Sequence, residues 1–89
     1  MYGILVKFTV KDYGVWRKLF DAAAGPRETS GLRTTAVISS VDDPSKVMVV
    51  FQTADLAKAK AHLSDPETRK GQASSGFLAP PEIFFGELK

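Results

Sequence analysis

The chain contains no cysteine and a single histidine, His62. The first absence removes disulfides, thiolate zinc sites and cysteine nucleophiles together, and one imidazole is too few for a histidine-rich metal centre. No metal site and no cofactor are therefore expected. Long apolar runs are missing as well: Ile4-Leu5-Val6 is cut by Lys7, far short of the ~20 residues that span a bilayer, and no basic leader precedes it. The expectation is a soluble, cytoplasmic protein with no membrane partner. Nor is there an excess of one charge. Twelve basic and ten acidic residues leave +2, scattered along the chain, which argues against a nucleic-acid-binding stripe. Ser74-Ser75-Gly76 lacks the context of a nucleophile elbow, and no Gly-rich strand-to-helix turn is present to cradle a phosphate.

What remains is enough for one small core. The 89 residues are 44% hydrophobic against 25% charged, so the chain is expected to fold as a single domain, residues 1–89. At this length folding buries only about three-fifths of the unfolded surface, so stability will be thin. From Tyr2 to Val10 the side chains alternate, with Ile4, Val6, Phe8 and Val10 on one face and Lys7 and Thr9 on the other, the two-residue period of a half-buried strand. Asp12 stands where an N-cap belongs, and Trp16, Leu19, Phe20 and Ala23 then recur at helical spacing. Gly25-Pro26 should stop or kink that helix, with Arg27-Glu28-Thr29 able to resume a turn before Gly31.

Leu32 to Val41 and Val47 to Thr53 read as strands joined through the turn formers Asp42-Asp43-Pro44-Ser45. Asp55 caps a helix through Leu56, Ala59 and Leu63, and Asp65-Pro66-Glu67 restarts helix at once, because Pro suits the first helical position. Gly76 closes it, and Glu82 to Leu88 supplies a last strand. The order β-α-β-β-α-β predicts an α+β, ferredoxin-like fold with helices on one face of a four-stranded antiparallel sheet.

That arrangement leaves the second sheet face uncovered. If Ile4, Val6, Leu32, Ile38, Val49 and Phe51 face the helices, strict alternation puts Lys7, Thr9, Arg33, Thr35, Ser39 and Gln52 on the open face. The same parity also puts Leu5, Val37, Val41, Met48 and Val50 there, and one of Phe84 and Phe85 must join them. A sheet apolar on both sides wants a second cover, and burying such a face at about 25 cal/mol per Å² would add several kcal/mol to a small core. The expected partner is a second copy of the chain, making a homodimer through the sheet face. The alternative is a monomer with isolated apolar side chains in water, which small sheets tolerate.

Several stretches carry a family resemblance across the whole chain: Val10-Lys11-Asp12-Tyr13-Gly14-Val15-Trp16, Asp42-Asp43-Pro44, Phe51-Gln52-Thr53-Ala54-Asp55-Leu56-Ala57-Lys58-Ala59-Lys60, Ser64-Asp65-Pro66-Glu67 and Ala79-Pro80-Pro81-Glu82. In these the chain resembles the dimeric α/β-barrel superfamily, which includes the antibiotic-biosynthesis-monooxygenase-like proteins. The resemblance implies two sheets packed face to face into a shared barrel, and a small hydrophobic ligand held between sheet and helices of each subunit. Members of the superfamily include cofactor-independent oxygenases, haem-degrading enzymes and isomerases, so the fold alone selects no reaction. The haem-degrading branch needs a histidine ligand with Asn and Trp neighbours, and this chain has no Asn.

The ligand-binding candidates are Trp16, which offers a flat apolar surface and one N–H donor, together with Lys7, Arg33 and Gln52, polar groups on a partly apolar face that must be paired, hydrated or used to orient a ligand. Core packing of Trp16 and structural pairing of Lys7, Arg33 and Gln52, for example with Glu82 or Glu87, are the alternatives. His62, by its spacing from Leu56, Ala59 and Leu63, reads as a solvated flank residue. Tyr2 and Tyr13 lie at element boundaries without a neighbouring base, and the acids Asp42 and Asp43 read as turn formers. Three functions stand: a dimeric barrel that binds a small hydrophobic molecule, a cofactor-independent monooxygenase-like or isomerase-like enzyme acting on an aromatic or polyketide-like substrate, and a structural dimerisation module. Single-strand RNA binding shares the element order, but Lys46 to Thr53 lacks the Gly- and aromatic-rich signature of such modules.

Overall fold

The computed structural model describes residues 1–89 as eight elements: β1 (Tyr2–Thr9), α1 (Tyr13–Ala22), α2 (Ala24–Thr29), β2 (Arg33–Ser39), β3 (Lys46–Thr53), α3 (Leu56–Ser64), α4 (Pro66–Ser74) and β4 (Glu82–Glu87). The strands form one antiparallel sheet in the order β2-β3-β1-β4, with β1 and β3 central. This is the α+β, ferredoxin-like arrangement that the element order implied.

Helix starts follow from local chemistry. Asp12 Oδ1 accepts from the Val15 amide at 3.0 Å, Asp55 Oδ1 from the Lys58 amide at 3.0 Å, and Asp65 Oδ1 from the Glu67 amide at 2.8 Å, each satisfying a donor that has no partner inside its helix. The first helix breaks at Ala23, two residues before Gly25-Pro26, which fall inside α2 instead. Pro is tolerated there because amides in a first helical turn have no intrahelical acceptor to lose. Gly31 and Gly76 hold positive φ values of 78° and 101°, where a side chain would be strained, and they turn the chain out of α2 and α4.

The core lies between sheet and helices. Ile4, Val6, Phe8, Val47, Val49 and Phe51 of the sheet, with Val10 and Leu32 just beyond its strands, form one buried cluster with Trp16, Ala59 and Leu63 of the helices. With only 13 of 89 residues buried, the loss of any one large contact removes a sizeable part of the stability. Buried polar groups are satisfied. The Thr53 hydroxyl accepts from the Asp55 amide at 3.1 Å and donates to the Asp55 carbonyl at 3.2 Å, and no buried side-chain N or O lacks a partner.

On β2 the strict alternation expected from sequence fails. Thr34 opposes Phe51 but Ala36 opposes Val50, so Thr35 is an extra residue in the ladder, a β-bulge, and its hydroxyl donates to the Val50 carbonyl at 3.0 Å. Parity reverses beyond it. Val37, paired with Val49, packs against the core, and Ser39 pairs with buried Val47, whereas Ile38, paired with Met48, faces outward with 51% of its surface exposed. Val41 falls outside the strand, in the turn, and is exposed.

The open face reads as three rows across the strands: Ile38, Met48, Lys7 and Glu82; Ala36, Val50, Leu5 and Phe84; and Arg33, Gln52, Gly3 and Gly86. Phe84 is 66% exposed there, and its ring lies over Gly86, where an added Cβ would meet it at 3.0 Å. Replacing Asp12 by Ala removes the α1 cap alone; the expected loss is about 1 kcal/mol, read from the shift of the denaturant midpoint at unchanged m-value.

Candidate functional site

The four helices form two arms. α1 packs on α2 and α3 on α4, while between the arms there is little close packing. The gap opens onto the sheet as a cleft of about 490 Å³. Its floor is Val6, Phe8, Val49 and Phe51 of β1 and β3; one wall is Trp16, Leu19, Phe20 and Arg27 of α1 and α2; the other is His62 and Leu63 of α3 with Thr68, Gly71 and Gln72 of α4. A volume of this order, mostly apolar and with few polar groups, is typical of sites that hold small organic molecules. A second, shallower depression of about 570 Å³ between α1, α2 and β2 is bordered largely by polar residues and offers no comparable apolar surface.

Aromatic rings set the character of the cleft. Phe77 stacks on Phe8 with ring centres 4.2 Å apart and 15° between planes, Phe8 meets Trp16 at 5.1 Å, and Trp16 meets Phe20 at 4.9 Å. The row ends in a cation: the Arg27 guanidinium lies over the Phe20 ring, 3.6 Å from its centre. Burial lowers the Arg27 pKa, and the nearby acids Asp21 and Glu28 partly oppose that shift. No side-chain hydrogen bond engages Arg27, and the ion pair the structure forms is elsewhere, between Arg17 and Asp21 of α1 at 3.1 Å. Arg17 Nη1 also donates to the Tyr13 hydroxyl at 3.4 Å, which leaves Tyr13 tied to its own helix.

His62 is half-buried on the opposite wall, not a solvated flank residue. Burial holds its pKa below the ordinary value; the Arg27 charge pushes the same way and Asp65 opposes it. The neutral imidazole is therefore favoured, with one nitrogen able to accept a proton. Its spacing carried a signal, since residue 62 follows Ala59 by three and precedes Leu63 by one, which puts it beside the apolar stripe. What the spacing lacked was α4, which doubles back to build a wall next to it.

The four residues singled out from sequence do not share one site. Trp16 is 3% exposed and serves both as core and as cleft wall. Lys7, Arg33 and Gln52 sit in the rows of the open sheet face, where Arg33 and Gln52 are register partners. Glu82 is the register partner of Lys7, but no ion pair joins them. The turn acids behave as turn formers: Asp43 Oδ1 accepts from the Ser45 hydroxyl at 2.6 Å and the Ser45 amide at 3.1 Å, which holds its carboxyl below the usual range, and no cluster of acids or histidine suited to a metal exists.

At the sequence level no family model and no curated protein matches the chain. Solved structures do. SnoaB from Streptomyces nogalater, a cofactor-independent oxygenase, superposes with a TM-score of 0.76 at 14% identity over 99% of this chain and 92% of that one. The fold is that of the antibiotic biosynthesis monooxygenase-like proteins. A candidate member from Deinococcus radiodurans aligns with a TM-score of 0.73 at 15% identity, covering 100% of this chain and 93% of its own. Another from Nitrosomonas europaea aligns end to end, 100% of both chains, at 20% identity and a TM-score of 0.62. At these identities what is shared with the monooxygenase-like proteins is the backbone architecture. No helix is long and apolar enough to cross a membrane.

Protonating His62 costs more in the folded than in the unfolded chain, because its folded pKa is depressed. Its contribution to stability is thus full above the ordinary value near 6.5 and is lost as pH falls from there through the depressed folded value. The charged groups around it are Arg27, Asp65 and the cleft-bordering Glu67. Melting temperatures of the wild type should fall more between pH 7 and pH 5 than those of His62→Gln; parallel curves would show that the imidazole titrates freely.

Proposed function

We propose that this chain is a homodimeric barrel protein that holds a small, flat hydrophobic molecule in the cleft between its helical arms. The observation that carries the binding half is the row of rings Phe77, Phe8, Trp16 and Phe20 facing a cavity of about 490 Å³ that the protein's own side chains leave unfilled. A cavity left open in so small a core forgoes the dispersion and burial energy that a bulkier side chain would supply, a cost that a ligand offsets. The dimer half is supported by the open face, where Leu5, Ile38, Met48, Val50 and Phe84 lie in adjacent rows with Ile38 and Phe84 more than half exposed. Packing two such faces together would turn two open sheets into one closed barrel and give Lys7, Arg33 and Gln52 a shared interior in which to pair or to meet a ligand.

A second reading, a cofactor-independent oxygenase, is favoured by His62. A neutral imidazole held at the edge of an apolar cleft is placed to take a proton from an activated carbon or phenol, and the low dielectric strengthens whatever then holds the anion. Oxygen consumption with polyketide-like phenols, above the rate without protein and reduced in His62→Gln, would establish that activity. No uptake with such phenols would leave binding as the function.

Two substitutions test the main proposal. Gly71 on α4 borders the cleft and has open space where a Cβ would stand, so Gly71→Phe is expected to fill the cleft while the helix gains propensity. Thermal-shift and Trp16-fluorescence titrations with small aromatics should give binding to the wild type and at least a tenfold loss in Gly71→Phe; unaltered binding would place the ligand elsewhere. Val50→Glu puts a charge at the centre of the open face and should yield monomers in light scattering, and a dimer that survives it does not use this face.

A further inference from the structure

The lining of the cleft carries one half-buried cation with no carboxylate within ion-pair distance. At one end the aromatic row stops at Arg27, whose guanidinium carbon lies over the Phe20 ring, 3.6 Å from its centre, and whose side chain borders the cleft. Arg27 is half-buried, and neither Asp21 nor Glu28 comes within ion-pair distance of it. A guanidinium that has given up part of its hydration without a carboxylate in reach keeps its N–H donors free for an anion. The facing wall also includes Glu67, exposed at the start of α4. The polar groups Thr68 and Gln72 in the lining are neutral.

We propose that the cleft selects a flat aromatic carboxylate, with its rings along Phe8, Trp16 and Phe20 and its carboxylate on the two-pronged fork of Arg27. This rests on the cleft-binding reading and adds the charge and orientation of the ligand. The fork matches the two oxygens of a carboxylate, and the bond is strong because both partners are charged and water is partly excluded. His62 borders the same cleft, and its neutral imidazole carries one ring N–H. The ligand continues the stack that Phe20 and Arg27 begin, so recognition and ring packing act along one line.

The probes are 2-naphthoate, its neutral isostere 2-naphthamide, and decanoate, titrated calorimetrically at pH 7 into the wild type, Arg27→Met and Arg27→Lys, with circular dichroism to verify folding. The wild type should bind naphthoate at least tenfold tighter than naphthamide, a ratio that reads the charged contact independently of any variant. Arg27→Met should bring that ratio to within about threefold, and Arg27→Lys, which keeps the charge but loses the fork, should fall between. Equal affinities in the wild type, or a ratio that persists in folded Arg27→Met, would overturn the proposal and leave Arg27 as packing for Phe20. Decanoate binding as tightly as naphthoate would overturn its aromatic half. If naphthoate and naphthamide both fail to bind, the cleft-binding reading itself falls.

Discussion

The contact of Phe8 with Trp16 on one side and Phe77 on the other holds this fold together. It joins the central strand β1, the first helical arm that follows it and, distant in sequence, the segment after the second arm, through ring centres 5.1 and 4.2 Å apart. Each arm is short and the arms hardly pack on each other, so what positions them is their grip on the sheet rather than their grip on one another. The cleft is a by-product of that economy. Two arms pulled down onto one strand by aromatic anchors leave a gap between them, and the same rings then form its lining.

Placing apolar side chains on both faces of a four-stranded sheet has a second consequence. The helix side is closed by Trp16, Ala59 and Leu63, but the other side carries Leu5, Met48 and Val50 only partly covered, with Phe84 folded back over a glycine. For a chain whose core is so limited, the proposed barrel would supply a large share of the stability and would tie the state of assembly to the cleft floor. The strands Val6–Phe8 and Val49–Phe51 form the cleft floor with one set of side chains and the open face with the alternate set, so the cleft and the open face are the two sides of one backbone.

Local features were legible from sequence and non-local ones were not. Asp12, Asp55 and Asp65-Pro66 declare helix starts because capping involves residues two or three apart, and Gly31 and Gly76 declare ends for the same reason. The element order and the central strand could be read because period-two alternation survives in β1 and β3. The bulge at Thr35 could not, since it exists only relative to β3, and it exchanged the roles of Val37 and Ile38. Of the cleft, only Trp16 was anticipated. Arg27 was read as part of a broken helix and His62 as a solvated residue, because each owes its role to an element more than 30 residues away in the chain or to a helix that doubles back beside it.

The segment after α4 is fastened in an unusual way. Leu78 donates to the Thr9 carbonyl at 3.1 Å, Lys11 donates to the Gly76 carbonyl at 2.8 Å, and Val10 bridges Phe77, so the C-terminal end of the second arm is stitched to the chain just before the first. No such stitching joins Arg27 to His62 at the opposite end. The two arms are thus tied through the sheet edge beside Phe77, while Arg27 of the first and His62 of the second line the cleft with no hydrogen bond between them.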